Sequence, residues 1–131
     1  MTHDEIAQLD AAQLRLEVAM VKGYIDNRQF CENEFLGPDN EWYYLESEYS
    51  SDRILPNWPA DIAAAMGLFL ELPLPRRIHQ EDGTFYVLCG GRSYGPSTDM
   101  EMDFYAEVDE EGEPNALCVA ICRAYLMWKQ G

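Results

Sequence analysis

Between Ala116 and Trp128 a single charged residue, Arg123, interrupts an otherwise uncharged segment. A helix that is apolar around most of its circumference cannot lie on a surface, so this one is expected to be mostly buried. Leu117, Cys118, Ile121, Cys122, Tyr125 and Leu126 make its predicted inner face. Asn115 is placed to cap its start, and Arg123 and Lys129 lie toward the negative end of its dipole. A chain of 131 residues with 47% apolar content can bury such a helix in one domain, residues 1–131, without disulfide or metal staples.

The rest of the pattern surrounds that helix with shorter elements. Two N-cap signals, Thr2 with Glu5 and Asp10 with Gln13, precede Leu14, Val18 and Val21 at helical spacing. They predict a helix over about 5–22, ended by Gly23 in a left-handed conformation. Ile62, Ala65, Met66, Phe69 and Leu70 predict a second helix with one apolar face, after Pro59 in the first turn and before Pro73 and Pro75. The period then changes to two. Arg77–Gln80 and Thr84–Cys89 flank Glu81-Asp82-Gly83 as a hairpin, and Phe85–Cys89 is apolar on both faces, as in a strand covered on two sides. Gly90-Gly91 is expected to break it. A third strand over about 100–108 sets Met100, Met102, Phe104, Ala106 and Val108 against Asp99, Glu101, Asp103, Tyr105 and Glu107. From Tyr24 to Trp58 no period holds; turn formers, aromatics and acids predict a long irregular loop, with at most a short strand at Glu41–Leu45. The reading is an α+β domain in the order helix, loop, helix, three strands, helix, with a three-stranded antiparallel sheet covered by helices.

Certain segments resemble a known family. Val18-Ala19-Met20-Val21-Lys22-Gly23-Tyr24, Asp61-Ile62-Ala63-Ala64-Ala65, Phe85-Tyr86-Val87 with Gly91-Arg92-Ser93-Tyr94, and above all the Ala-Ile-Cys-Arg-Ala run within Ala116–Ala124, look like the small bacteriophage and prophage proteins grouped as the phage ABA sandwich domain. The resemblance touches about half the chain in the right order. It implies an α/β/α sandwich and a phage or prophage origin, and brings no catalytic residues with it. The acidic aromatic loop at about 24–58 and the stretch Asp99–Glu113 depart from that pattern.

The charge is concentrated in those two departures. Asp and Glu number 24 against 9 Lys and Arg, a net charge of -15. Residues 26–52 hold eight acids with Arg28 as the one base, and residues 99–113 hold eight acids and no base. Such a chain offers no phosphate-binding surface and is repelled by anionic lipid, which excludes direct nucleic-acid and membrane-surface binding as expectations. With neither a basic start nor an apolar export segment, it is expected in the cytoplasm of a bacterial host, with its four cysteines as free thiols.

Asp99, Glu101, Asp103 and Glu107 are expected to project from one strand face with neighbouring acids about 6.7 Å apart. Duplex DNA carries about one phosphate per 3.4 Å on each strand, so one column is a loose imitation and a second, from the loop, is needed for a convincing one. Tyr105 stands in the same column. In the loop, Trp42, Tyr43, Tyr44 and Tyr49 are interleaved with Glu41, Glu46 and Glu48, the combination in which aromatics anchor and acids steer a basic partner. The same residues also suit a solvated sheet face and a loop folded onto the core. Other constellations fall short. Asp99, Glu101, Asp103 and Glu110 match positions of a calcium loop, but Phe104 stands where glycine must turn the chain. Cys118 and Cys122 share a helix face without two further ligands, and a Cys89 and His79 pair would need an electropositive setting. No cofactor and no metal are expected. The functional expectation is a non-enzymatic accessory protein that binds a host or phage protein, of the basic nucleic-acid-binding kind, through its acidic surface, in the sharpest form as a nucleic-acid mimic. The alternative is a small structural or self-associating protein, a homodimer joined through the third strand or the loop.

Overall fold

The computed structural model describes residues 1–47, 49–93 and 100–130. Among them are four helices and two three-stranded antiparallel sheets. The expected single N-terminal helix is two, α1 (His3–Ala7) and α2 (Ala11–Val21), because both cap signals are used. The Thr2 hydroxyl accepts from the Glu5 amide, and Asp10 forms a full reciprocal box with Gln13. An N-cap residue has extended backbone, so a second cap at Asp10 interrupts any helix that reaches it. Gly23 ends α2 as expected: at φ +96 it lets its own amide reach Met20 O and the Tyr24 amide reach Ala19 O.

The stretch read as an irregular loop contains a small sheet of β1 (Ile25–Asp26), β2 (Glu34–Leu36) and β3 (Trp42–Tyr44). Its strands span only two or three residues, and Phe35, Leu55 and Trp58 anchor the segment in the core. Arg15, projecting from α2, donates to the carbonyls of Leu45 and Pro56 at 3.3 Å and to that of Leu55. One guanidinium thus ties the return of this segment to the helix.

Helix α3 (Ile62–Glu71) starts from Asp61, whose carboxylate accepts from the amides of Ala63 and Ala64. Its buried line is Ala65 and Leu68, continued by Leu72, with Met66 and Phe69 packed beside it; Ile62 and Leu70, expected inside, are exposed. The larger sheet has the order β4 (Arg76–Glu81), β5 (Thr84–Ser93), β6 (Met100–Asp109). Asp82 and Gly83 both take positive φ in a two-residue hairpin turn, as Asp-Gly predicts. Gly90 and Gly91 do not end β5. Both adopt positive φ, the Gly90 amide turns to Pro73 O and Pro75 O, and the pairing with β6 resumes in the same register.

Helix α4 (Ala116–Gln130) packs against β5 and β6 on one side and against α1, α2 and α3 on others. Ten of its residues are buried, which is why the segment tolerates one charge. Arg123 is half-buried; one terminal nitrogen of its guanidinium donates to Leu9 O at 3.1 Å, and its Nε is buried with no hydrogen-bond partner among the described residues. The α+β class and the antiparallel sheet are as expected. The helical covering is found on one face of that sheet, where Val87, Cys89, Ala106 and Val108 are buried; Arg77, His79, Tyr105 and Glu107 on the other face are exposed.

Candidate functional site

The exposed face of the larger sheet is built by alternation and register. Residues 77, 79 and 81 of β4, 84, 86 and 88 of β5, and 103, 105, 107 and 109 of β6 point away from α4. Pairing sets them in rungs: Arg77, Leu88 and Tyr105; His79, Tyr86 and Glu107; Glu81, Thr84 and Asp109. The centre is apolar and aromatic. Tyr86 has its ring centroid 5.8 Å from His79 and 5.9 Å from Tyr105, and Tyr86 and Leu88 are half-buried between their neighbours.

The flanks differ in charge, β6 being acidic and β4 balanced between Arg77 and Glu81. Along β6, Asp103, Glu107 and Asp109 are exposed, with Asp103 and Glu107 about 13 Å apart along the strand. Along β4 stand Arg77 and His79, followed by Glu81, which lies 3.2 Å from His79 Nε2. The Tyr105 hydroxyl donates to Glu107 at 2.7 Å. Desolvation on the sheet face, then that hydrogen bond, push the Tyr105 phenol up to about 12, so it stays a donor. Thr84 donates in the same way to Asp109. Of the expected column, Asp103, Tyr105 and Glu107 share this face. Glu101 pairs through its backbone with Arg92 on β5, and Asp99 lies outside the described residues. The contribution of β4 was missed, although hairpin alternation places Arg77 and His79 on one face.

The loop candidates form a separate group. Trp42 is exposed, Tyr44 half-buried and Glu46 exposed, and Glu48 lies outside the described residues. Tyr43, on the other face of β3, packs on the core and donates to Asp39 at 2.7 Å, the main reason that carboxyl sits below its usual range. Several acids of this segment hold its own fold: Asp26 chelates Arg28, Glu34 accepts from Asn27, and Asp52 accepts from the Tyr49 amide. β6 packs on α4, α4 on α2 and α2 on β1, and no strand of the small sheet packs extensively against β6. The loop therefore supplies no second column beside β6. A cleft of about 400 Å³ between α2 and the loop, lined by Arg15, Leu16, Leu45, Glu46 and Asn57, is closed to anion chemistry at Arg15 by the carbonyls already on its guanidinium.

No family model, curated protein or solved structure matches this chain.

The cysteines are all unpaired, three buried and Cys31 exposed. Cys89 faces α4 while His79 faces outward, so the two are not partners. Burial, with Asp103 nearby, pushes the Cys89 thiol up to about 11; burial also raises Cys118 and Cys122. Among the described residues no group of three His, Cys, Asp or Glu could hold a metal ion. A thiol reagent at neutral pH is expected to label Cys31 alone in the native protein and all four thiols after denaturation. Rapid native labelling of Cys89 would contradict this orientation.

Proposed function

We propose that this chain is a non-enzymatic phage or prophage accessory protein whose open sheet face binds a basic protein, of the kind that itself binds nucleic acid. The observation that carries the reading is the β6 flank, where Asp103, Glu107 and Asp109 stand exposed beside Tyr105 and a half-buried centre of Tyr86 and Leu88. Acids at the rim steer a cationic partner and set a fast, salt-sensitive encounter; the central rings and Leu88 supply the area that holds it. In the loop Asp26 is neutralised by Arg28, whereas on the β6 flank Glu107 and Asp109 accept from the neutral hydroxyls of Tyr105 and Thr84, which leave their charge in place. The nucleic-acid mimic, the sharpest form of this reading, rests on the β6 column alone.

The family resemblance in Ala116–Ala124 supports the phage origin, and the location that goes with it is the cytoplasm of a bacterial host. Among the described residues no helix is long and apolar enough to cross a membrane. If the fold belongs to the α/β/α sandwiches, the open face is where its further layer would lie.

The test is a comparison of the protein with a D103N/E107Q/D109N variant, which keeps the hydrogen-bond acceptors of this flank and removes its charge. Each protein is immobilised and exposed to bacterial lysate at low and high salt. A basic protein retained by the native chain is expected to bind the variant about tenfold more weakly or worse, since each lost exposed ion pair is worth up to ~1 kcal/mol. Equal retention by the two, or retention that survives high salt, would overturn the reading.

A further inference from the structure

Three features define what fits the open face. Neighbouring strands lie about 4.8 Å apart, so the flanks of β4 and β6 are about 10 Å from each other, the diameter of one helix with its side chains. The opposite face of the same sheet is covered chiefly by α4, lying on β5 and β6, with His3 of α1 against Phe104. The charge is uneven across the strands: β6 carries Asp103, Glu107 and Asp109, the centre is Leu88 and Tyr86, and β4 carries Arg77 and Glu81.

We propose that the occupant of this face is one amphipathic helix of the basic partner, laid along the strands as a third layer. Its apolar line meets Leu88 and Tyr86. Lysine or arginine lies on the flank over β6, and neutral residues on the flank over β4, where Arg77 and Glu81 offset each other. This deepens the reading above and depends on it, because the helix is the element through which the basic partner is held.

A second copy of this chain fits less well. In aligned face-to-face packing, a two-fold axis along β5 sets β4 over β6 of the other copy, with Arg77 over Tyr105, His79 over Glu107 and Glu81 over Asp109, and an axis across the strands sets the β6 acids over themselves. Even where β4 lies over β6, one cation of each copy, Arg77, faces the three acids Asp103, Glu107 and Asp109, between molecules that each carry -15. A helix with one basic flank has no such conflict.

Two synthetic peptides of about 15 residues, long enough for a ~22 Å helix, test this against the full chain. Both are made of Leu, Lys, Ala and Gln in equal composition. One places Leu in a helical stripe with Lys on one flank, and the other scrambles the order so that no stripe forms. Binding is followed by backbone amide chemical shifts of the protein, helix content by circular dichroism, and self-association by sedimentation. The striped peptide is expected to become helical, to shift residues 77–88 and 103–109, and to bind about tenfold tighter than its scramble. L88S should weaken it about fivefold, as loss of a half-buried Leu contact implies, and leave the scramble unchanged. Equal binding of both peptides at this face would overturn the helix and leave the basic-partner reading standing. Shifts spread over residues 26–52, or no saturable binding, would overturn both. A native dimer that L88S dissociates would give the face to a second copy and overturn the proposal.

Discussion

Replacing Ile121 by Ala is expected to lower the unfolding free energy by about 3–4 kcal/mol, within the range for emptying a fully buried aliphatic site. Ile121 is 0% exposed on a helix that meets the larger sheet and three other helices, so its neighbours cannot collapse on the cavity from a free side. For a domain of this length the loss corresponds to a fall of roughly 10–15 °C in Tm. Against a typical total of about 5–15 kcal/mol, that is a large share of stability. The control is Leu117→Ala on the same helix, where the side chain is half-buried; about 1 kcal/mol is expected there. Thermal and urea unfolding measure both. Equal losses at the two positions would contradict the central placement of α4.

Arg15→Ala is expected to cost about 2–3 kcal/mol, or roughly 7–11 °C, by leaving the carbonyls of Leu45, Leu55 and Pro56 without their shared donor. The effect should also be local. Hydrogen exchange is expected to quicken first at the Leu55 and Tyr44 amides, which hold the returning chain to β3, while β5 and β6 keep their protection. Arg15→Lys should recover only part of the loss, because an ammonium lacks the planar fork that reaches several carbonyls at once. Uniform exchange across both sheets would mean that the small sheet and the larger one open as a single unit.

How much of this could be read from residues varies by element. The burial of α4 follows from composition alone, since a segment with one charge has no face to give to water. The hairpin follows from Asp82-Gly83, which accept the positive φ of the turn, and the end of α2 from Gly23. The small sheet is invisible to periodicity because strands of two or three residues contain no repeat to detect. In α3 the outward turn of Ile62 and Leu70 depends on which residues of a nearly all-apolar helix meet α4, and any of several faces satisfies the pattern.

The same division holds for the candidate site. Alternation along β6 is enough to set Asp103, Tyr105 and Glu107 on one side of a strand, because side chains in an extended chain repeat every two residues. Whether that side is covered is a different matter. Phe85–Cys89 looks like a strand buried on both faces, yet Tyr86 and Leu88 lie on the open face, partly shielded by the rings of Tyr105 and His79. Which residues share the far flank depends on pairing His79 with Tyr86 and Tyr86 with Glu107, contacts between residues 7 and 21 apart in the chain. Local chemistry specifies caps, turns and alternation because those involve neighbours within a few residues. The separation of the loop acids from β6, and the open face itself, come from how helices and sheets pack, which no short-range pattern encodes.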